Sequence, residues 1–95
     1  MRYKATVPAE ISRAIRGFGL GRRVVDVLNW LYQEIEEGRV DSYRHDPDRR
    51  APTDPDRYFW CELTVWDRGR PRGFRFTVDD ATAPGYMLVV AAEEV

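Results

Sequence analysis

Tyr58-Phe59-Trp60-Cys61-Glu62-Leu63-Thr64-Val65-Trp66, followed by Phe74-Arg75-Phe76-Thr77-Val78 and by the apolar run Tyr86 to Ala92, decides the fold of this 95-residue chain. In the first segment Phe59, Cys61, Leu63 and Val65 alternate with Tyr58, Trp60, Glu62, Thr64 and Trp66. A period of two is the signature of a strand. Bulk on both faces means either a central strand or one with an aromatic surface. In the second segment Phe74, Phe76 and Val78 alternate with Arg75 and Thr77, giving another strand. Asp67 to Arg72, with Gly69 and Pro71, reads as the hairpin loop between them. Asp79 to Gly85 reads as a second connection, its Pro84-Gly85 pair suited to a type II turn. Tyr86 to Ala92 is apolar throughout and is expected to be a strand buried on both faces. Three consecutive strands predict an antiparallel meander.

Upstream, Tyr3, Ala5 and Val7 alternate with Arg2, Lys4 and Thr6, predicting a half-buried strand over residues 1–7. Pro8 ends it and suits the first turn of a helix, which Ile11, Ile15 and Phe18 extend to about Gly17. Gly17, Gly19 and Gly21 punctuate a helix-to-helix turn. Although Gly17-Phe18-Gly19-Leu20-Gly21 is glycine-rich, it lacks the dinucleotide-binding spacing and follows a helix rather than a strand. Val24, Leu28, Leu31 and Ile35, widened by Val25, Val27 and Tyr32, form the stripe of a second helix from about Arg22 to Glu37, with Leu28 and Leu31 expected in the core. Gly38 stands where a C-terminal cap belongs. Glu34, Glu36 and Glu37 crowd the end where the helix dipole disfavours anions, which calls for a basic neighbour. Residues 38–57, dense in Asp, Arg and Pro, read as a long surface loop with room for a helical turn. The expected fold is a single α+β domain over residues 1–95, ordered β-α-α-β-β-β. Its helical hairpin packs on one face of a four-stranded, mostly antiparallel sheet, which the first strand joins.

Composition narrows the class. Hydrophobic residues make up 43% and charged residues 33%, with a formal net charge of −1. That balance excludes intrinsic disorder and supplies no global positive field to attract phosphates. Cys61 is the only cysteine, so no internal disulfide forms, and a reducing compartment is expected. The first ten residues hold no apolar leader and no apolar run is long enough to span a bilayer, so a cytoplasmic protein without membrane contact is expected. Arginine outnumbers lysine fourteen to one, Lys4 being the single lysine. With one histidine, His45, and no cysteine pair or spaced carboxylate set, neither a metal nor a cofactor is expected.

Tyr3-Lys4-Ala5-Thr6-Val7-Pro8-Ala9-Glu10 and, above all, Arg72-Gly73-Phe74-Arg75-Phe76-Thr77-Val78-Asp79-Asp80 resemble the RelE/ParE superfamily of bacterial type II toxins. The resemblance runs over nearly the whole chain: a strand ending in a Pro-led helix, a helical hairpin, a variable loop, the Gly-aromatic-Arg strand and a final apolar strand. It implies a small toxin neutralised by an antitoxin that wraps its surface. Some members cleave mRNA in the ribosome and others poison DNA gyrase, so ribosome-bound mRNA or gyrase is the implied target. A homodimer is also compatible with this class. In cleaving members a basic residue on the penultimate strand steadies the scissile phosphate, and Arg75 occupies that position. The chain departs from those members in being slightly acidic, in lacking lysines in the loop and first meander strand, and in ending Ala91-Ala92-Glu93-Glu94-Val95 instead of on a basic segment.

Attack by a ribose 2′-hydroxyl needs a proton acceptor, a proton donor and a cation on the phosphate. Arg75 and Arg72 are the candidate cations, with Arg68 and Arg70 on the same hairpin and Arg57 across the sheet. Tyr58, Glu62 and His45 are the candidate proton-transfer groups. Arg68 and Arg70 also suit a solvated hairpin tip, His45 an ordinary loop position, and Cys61 buried filler. Tyr58, Trp60 and Trp66 share a strand face, and an exposed aromatic set marks a binding surface. The reading that follows is a RelE/ParE-like toxin acting by macromolecular binding with weak or absent RNase activity. Its alternatives are a metal-independent, ribosome-dependent mRNA endoribonuclease using Arg75, and a non-toxin protein-interaction domain of the same fold.

Overall fold

In the computed structural model, which describes residues 3–83 and 85–95 and the side chains of 3–80 and 85–95, the order is β1 (Lys4–Thr6), α1 (Ala9–Arg16), α2 (Arg23–Glu36), α3 (Val40–Arg44), a 3-10 turn at Pro47–Arg49, β2 (Tyr58–Asp67), β3 (Arg70–Ala83) and β4 (Tyr86–Glu94). The result is an α+β fold with three helices and one four-stranded mixed sheet, ordered β1-β4-β3-β2. β2, β3 and β4 form the antiparallel meander, and β1 joins it parallel to β4. A parallel partner needs a crossover, and the segment holding the helices supplies it.

The β2–β3 connection is shorter than the Asp67–Arg72 loop expected from sequence. The ladder continues through Trp66–Pro71 and Asp67–Arg70, leaving only Arg68 and Gly69 as the turn. Both have positive φ, 53° and 76°, the type I′ geometry whose twist suits two adjacent strands. Pro71 is tolerated because its missing N–H would point toward β4, whose ladder reaches only to Phe74. β3 also runs on through Asp79 to Ala83, where the sequence suggested a connection. Pro84, half of the expected type II turn, lies outside the described residues. Residues 1 and 2 of the expected first strand do as well.

α1 and α2 follow the predicted helices to within a residue at each end. They cover one sheet face, where Phe59, Cys61, Phe74, Phe76, Val78 and Val89 are fully buried against Ile15, Leu31 and Ile35. Trp30 joins them at the margin, its ring 5.9 Å from that of Phe76. The face of α2 that points inward is centred on Val27, Leu31 and Ile35; Leu28 is only half-buried and Val25 is exposed. Leu31→Ala is therefore expected to cost about 2–5 kcal/mol and Leu28→Ala clearly less. Urea melts of the two variants check the helix rotation, and equal losses would refute it.

β4 is not buried on both faces. Met87 and Val89 face the core, whereas Tyr86 is 53% and Val90 39% exposed. Both long helices pack on one side, and the other side is left partly open. The loop after α2 is more structured than expected: α3 buries Val40 in the core, and Arg50 forms an isolated bridge with Phe59. The crowded acids at the end of α2 find the basic neighbour they need. Arg39 reaches both Glu34 and Glu37, the Tyr43 hydroxyl donates to Glu34 at 3.2 Å, and Glu36 accepts the Ala5 N–H.

Candidate functional site

The bare face of the sheet collects the even-numbered side chains of β2 and the odd-numbered ones of β3. Register sets Tyr58 beside Asp79, Trp60 beside Thr77 and Glu62 beside Arg75. On the other side Arg75 meets Glu93. The Arg75 guanidinium sits over the Trp60 ring, 3.8 Å from its centre. Its Nη2 lies 3.9 Å from Glu62 Oε1, an oxygen that Arg49 Nη1 approaches to the same distance. The indole face holds the cation electrostatically, and the Glu62 carboxylate offsets part of its charge. Arg75 Nε is buried and has no hydrogen-bond partner among the described residues. Beside Trp60 opens a cleft of about 370 Å³ lined by Pro52, Tyr58, Trp60, Thr77, Val90 and Glu93. Trp66, 67% exposed, extends the aromatic surface along the same strand. Stacking surface is plentiful here and uncompensated positive charge is scarce.

The sequence candidates do not all converge. Arg75, Tyr58 and Glu62 share this face. His45 ends α3 and is exposed, and its side chain makes no hydrogen bond or ion pair among the described residues. Arg57 donates twice to Asp79, at 3.0 and 2.9 Å. Cys61 is fully buried, and burial pushes its thiol up to about 12, which suits core filler and not a nucleophile.

Arg72 lies on the opposite face from Arg75, three residues away in an extended strand. It donates to Asp67 Oδ2 at 3.0 Å, to Glu94 at 2.7 and 2.9 Å, and to the Phe18 carbonyl at 2.7 Å. One guanidinium thus ties the β2–β3 hairpin, the end of β4 and the α1–α2 turn. Those carboxylates hold Arg72 further toward its charged form. In return Arg23 and Arg72 lower the pKa of Asp67, and Arg72 lowers that of Glu94. A depressed carboxylate stabilises the fold above its unfolded pKa, and that contribution disappears as pH falls through the folded value. The melting temperature is therefore expected to drop on acidification below about pH 4, the ordinary carboxylate range. In Arg72→Met the gap to the parent protein should be widest near neutrality and shrink in acid. Thermal melts across that range measure it, and a gap independent of pH would refute the clamp.

Of three buried or nearly buried carboxylates, Glu34, Asp79 and Asp80, the sequence pointed to a basic partner only for Glu34, at the crowded end of α2. Asp79 is 2% exposed and binds Arg57, while Asp80 takes Arg44 at 3.0 Å and Arg50 at 3.7 Å. Arg44 also donates to the Tyr3 hydroxyl, which donates to Asp41, both at 2.6 Å. Burial is the main reason the Tyr3 phenol is raised, and the hydrogen bond from Tyr3 is the main reason Asp41 is lowered. These pairs fasten the 38–57 segment, whose Pro52 lines the cleft, to β3 and to Tyr3 just before β1. The alternation of Asp and Arg in that segment is the hint of the Asp79 and Asp80 pairs that the sequence carries.

Among the described residues no group of His, Cys, Asp and Glu side chains is arranged to hold a metal ion, and no helix is long and apolar enough to cross a membrane. Comparison with protein-family models, with curated proteins and with solved structures finds no match to this chain.

Proposed function

We propose that the chain is a toxin component of the RelE/ParE type that acts by binding a macromolecular partner through the bare sheet face, with weak or absent RNA cleavage. The observation that carries this reading is the setting of Arg75. It lies on Trp60 between Glu62 and Glu93, in a surface rich in aromatic area and poor in free positive charge. Such a surface suits a protein partner better than a phosphate backbone, which demands unneutralised cations. Support also comes from the α+β fold, with two helices on one face of a four-stranded mixed sheet, which is compatible with the expected helical hairpin on a sheet. An antitoxin-like protein is the expected neutralising partner, with the ribosome or gyrase as the target.

The endoribonuclease reading has one specific observation in its favour: Arg75, Tyr58 and Glu62 share a face. Induced expression in a bacterial host separates the readings. Growth arrest with intact mRNA, relieved by Trp60→Ala, is the expected result. Arrest accompanied by cut mRNA would restore the enzyme. No arrest at all would exclude the toxin and leave an interaction domain of the same fold.

A further inference from the structure

The two edges of the sheet are finished differently. β1 is three residues long, and its outward Ala5 N–H is taken by the Glu36 carboxylate. β2, the other edge, is ten residues long. Alternate residues of an edge strand turn their N–H and C=O away from the sheet. Two bonds fix which ones do so in β2. The Ala51 N–H donates to the Tyr58 carbonyl, and the Arg23 guanidinium donates to the Trp66 carbonyl. The outward set is therefore even-numbered, and it is closed at both ends by the chain itself. Between those ends Glu62 and Thr64 turn both backbone groups outward, and none of these is taken up among the described residues. Glu62 to Trp66 holds no proline and no bulge, the usual devices that blunt an edge.

On the helix side this open stretch borders a cleft of about 270 Å³ between α2 and β2, formed by Val27, Trp30, Leu63 and Val65, with Arg23 and Asp26 at its rim. Arg23 is occupied by Asp67 and the Trp66 carbonyl. Asp26 is exposed and has no ion pair among the described residues, so it is the cleft's free charge.

We propose that β2 accepts an extended peptide segment of a partner protein as a fifth strand along Glu62–Trp66. Main-chain hydrogen bonds would supply affinity, and alternate side chains would supply selectivity. Every second residue of the segment is apolar and enters the α2–β2 cleft, and a basic residue meets Asp26. A second copy fits less well, because its own α2 flanks the same edge and would have to enter the cleft with its strand. The edge site is independent of the toxin reading, which uses the bare sheet face.

The test is selection of peptides from a random displayed library on the full chain. Selected peptides are expected to alternate apolar and polar residues and to carry a lysine or arginine. Thr64→Pro removes one outward N–H without touching the ladder to β3. It should weaken the selected peptide about tenfold, about one good hydrogen bond. Methylating alternate backbone nitrogens of the peptide gives a second measurement on the unaltered protein. One set of methylations should abolish binding and the other leave it unchanged. Hydrogen exchange should show the Glu62 and Thr64 amides slowing on binding. No enriched sequence, equal binding to Thr64→Pro, indifference to methylation, or a dimer that closes this edge would each overturn the proposal.

Discussion

Phe76→Ala is expected to lower the unfolding free energy by about 3–5 kcal/mol, a loss at the upper end of what one truncation in a core produces. Phe76 is fully buried in β3, which lies between β2 and β4. Cys61 stands opposite it on one side and Ala92 on the other, so neither neighbour can expand into the space it would vacate. From above, Trp30 rests on its ring. Removing the ring forfeits both its transfer from water and the contacts of the cavity walls, because a close-packed core collapses only partly. A domain of this size has about 5–15 kcal/mol in all, so the variant should sit near the edge of stability. Phe76→Leu, which keeps most of the volume, should cost less than about 1.5 kcal/mol. Urea midpoints at constant slope measure both losses. Two small and equal losses would mean that this strand does not run through the core.

How much of the fold is legible in the chain varies with the range of the interaction. The period of two at Phe59–Val65 and Phe74–Val78, and the helical stripe ending at Gly38, are local signals, and the corresponding elements form where they indicate. The strand ends depart from expectation for a physical reason. Asp79 and Asp80 look like turn residues in isolation, but Arg57, Arg44 and Arg50 arrive from elsewhere to neutralise them inside the sheet. Tyr86 to Ala92 looks like a doubly buried strand, yet burial depends on what lies above each face, and that is decided by where the helices land. Glu34 is the same case: its burial rests on Arg39 and Tyr43, one turn and one short helix later. The pairing of Glu62 with Arg75 lies closer to hand. Once Arg68-Gly69 is taken as a two-residue turn, the register follows directly, whereas a longer loop leaves it open. The stacking of Arg75 on Trp60 depends in turn on that register.

Purified protein is expected to cleave ribosome-bound mRNA at background level, with Arg75→Ala leaving that level unchanged while relieving growth arrest in cells. Arg75 can steady a phosphate, but a guanidinium hardly releases its proton and cannot act as a shuttle. Its guanidinium lies on Trp60 and 3.9 Å from Glu62, and Glu93 is its register neighbour on β4, so a phosphate approaching it meets carboxylates from both adjoining strands. Tyr58 is on the face but stands beside Asp79, which Arg57 already binds. His45 is exposed at the end of α3 and is held near none of these groups by any bond. General acid–base catalysis contributes typically about 10²–10⁴-fold, so the lack of a positioned donor–acceptor pair should be plain in the rate. Loss of Arg75 would then bare the Trp60 ring and alter the surface offered to a partner, which is why its effect should appear in arrest and not in turnover. Primer extension on translated message reads cleavage, and growth curves of the same variant read arrest. Strong, site-specific cutting that Arg75→Ala abolishes would reverse the assignment, because it would require the carboxylates around Arg75 to serve the reaction instead of opposing it.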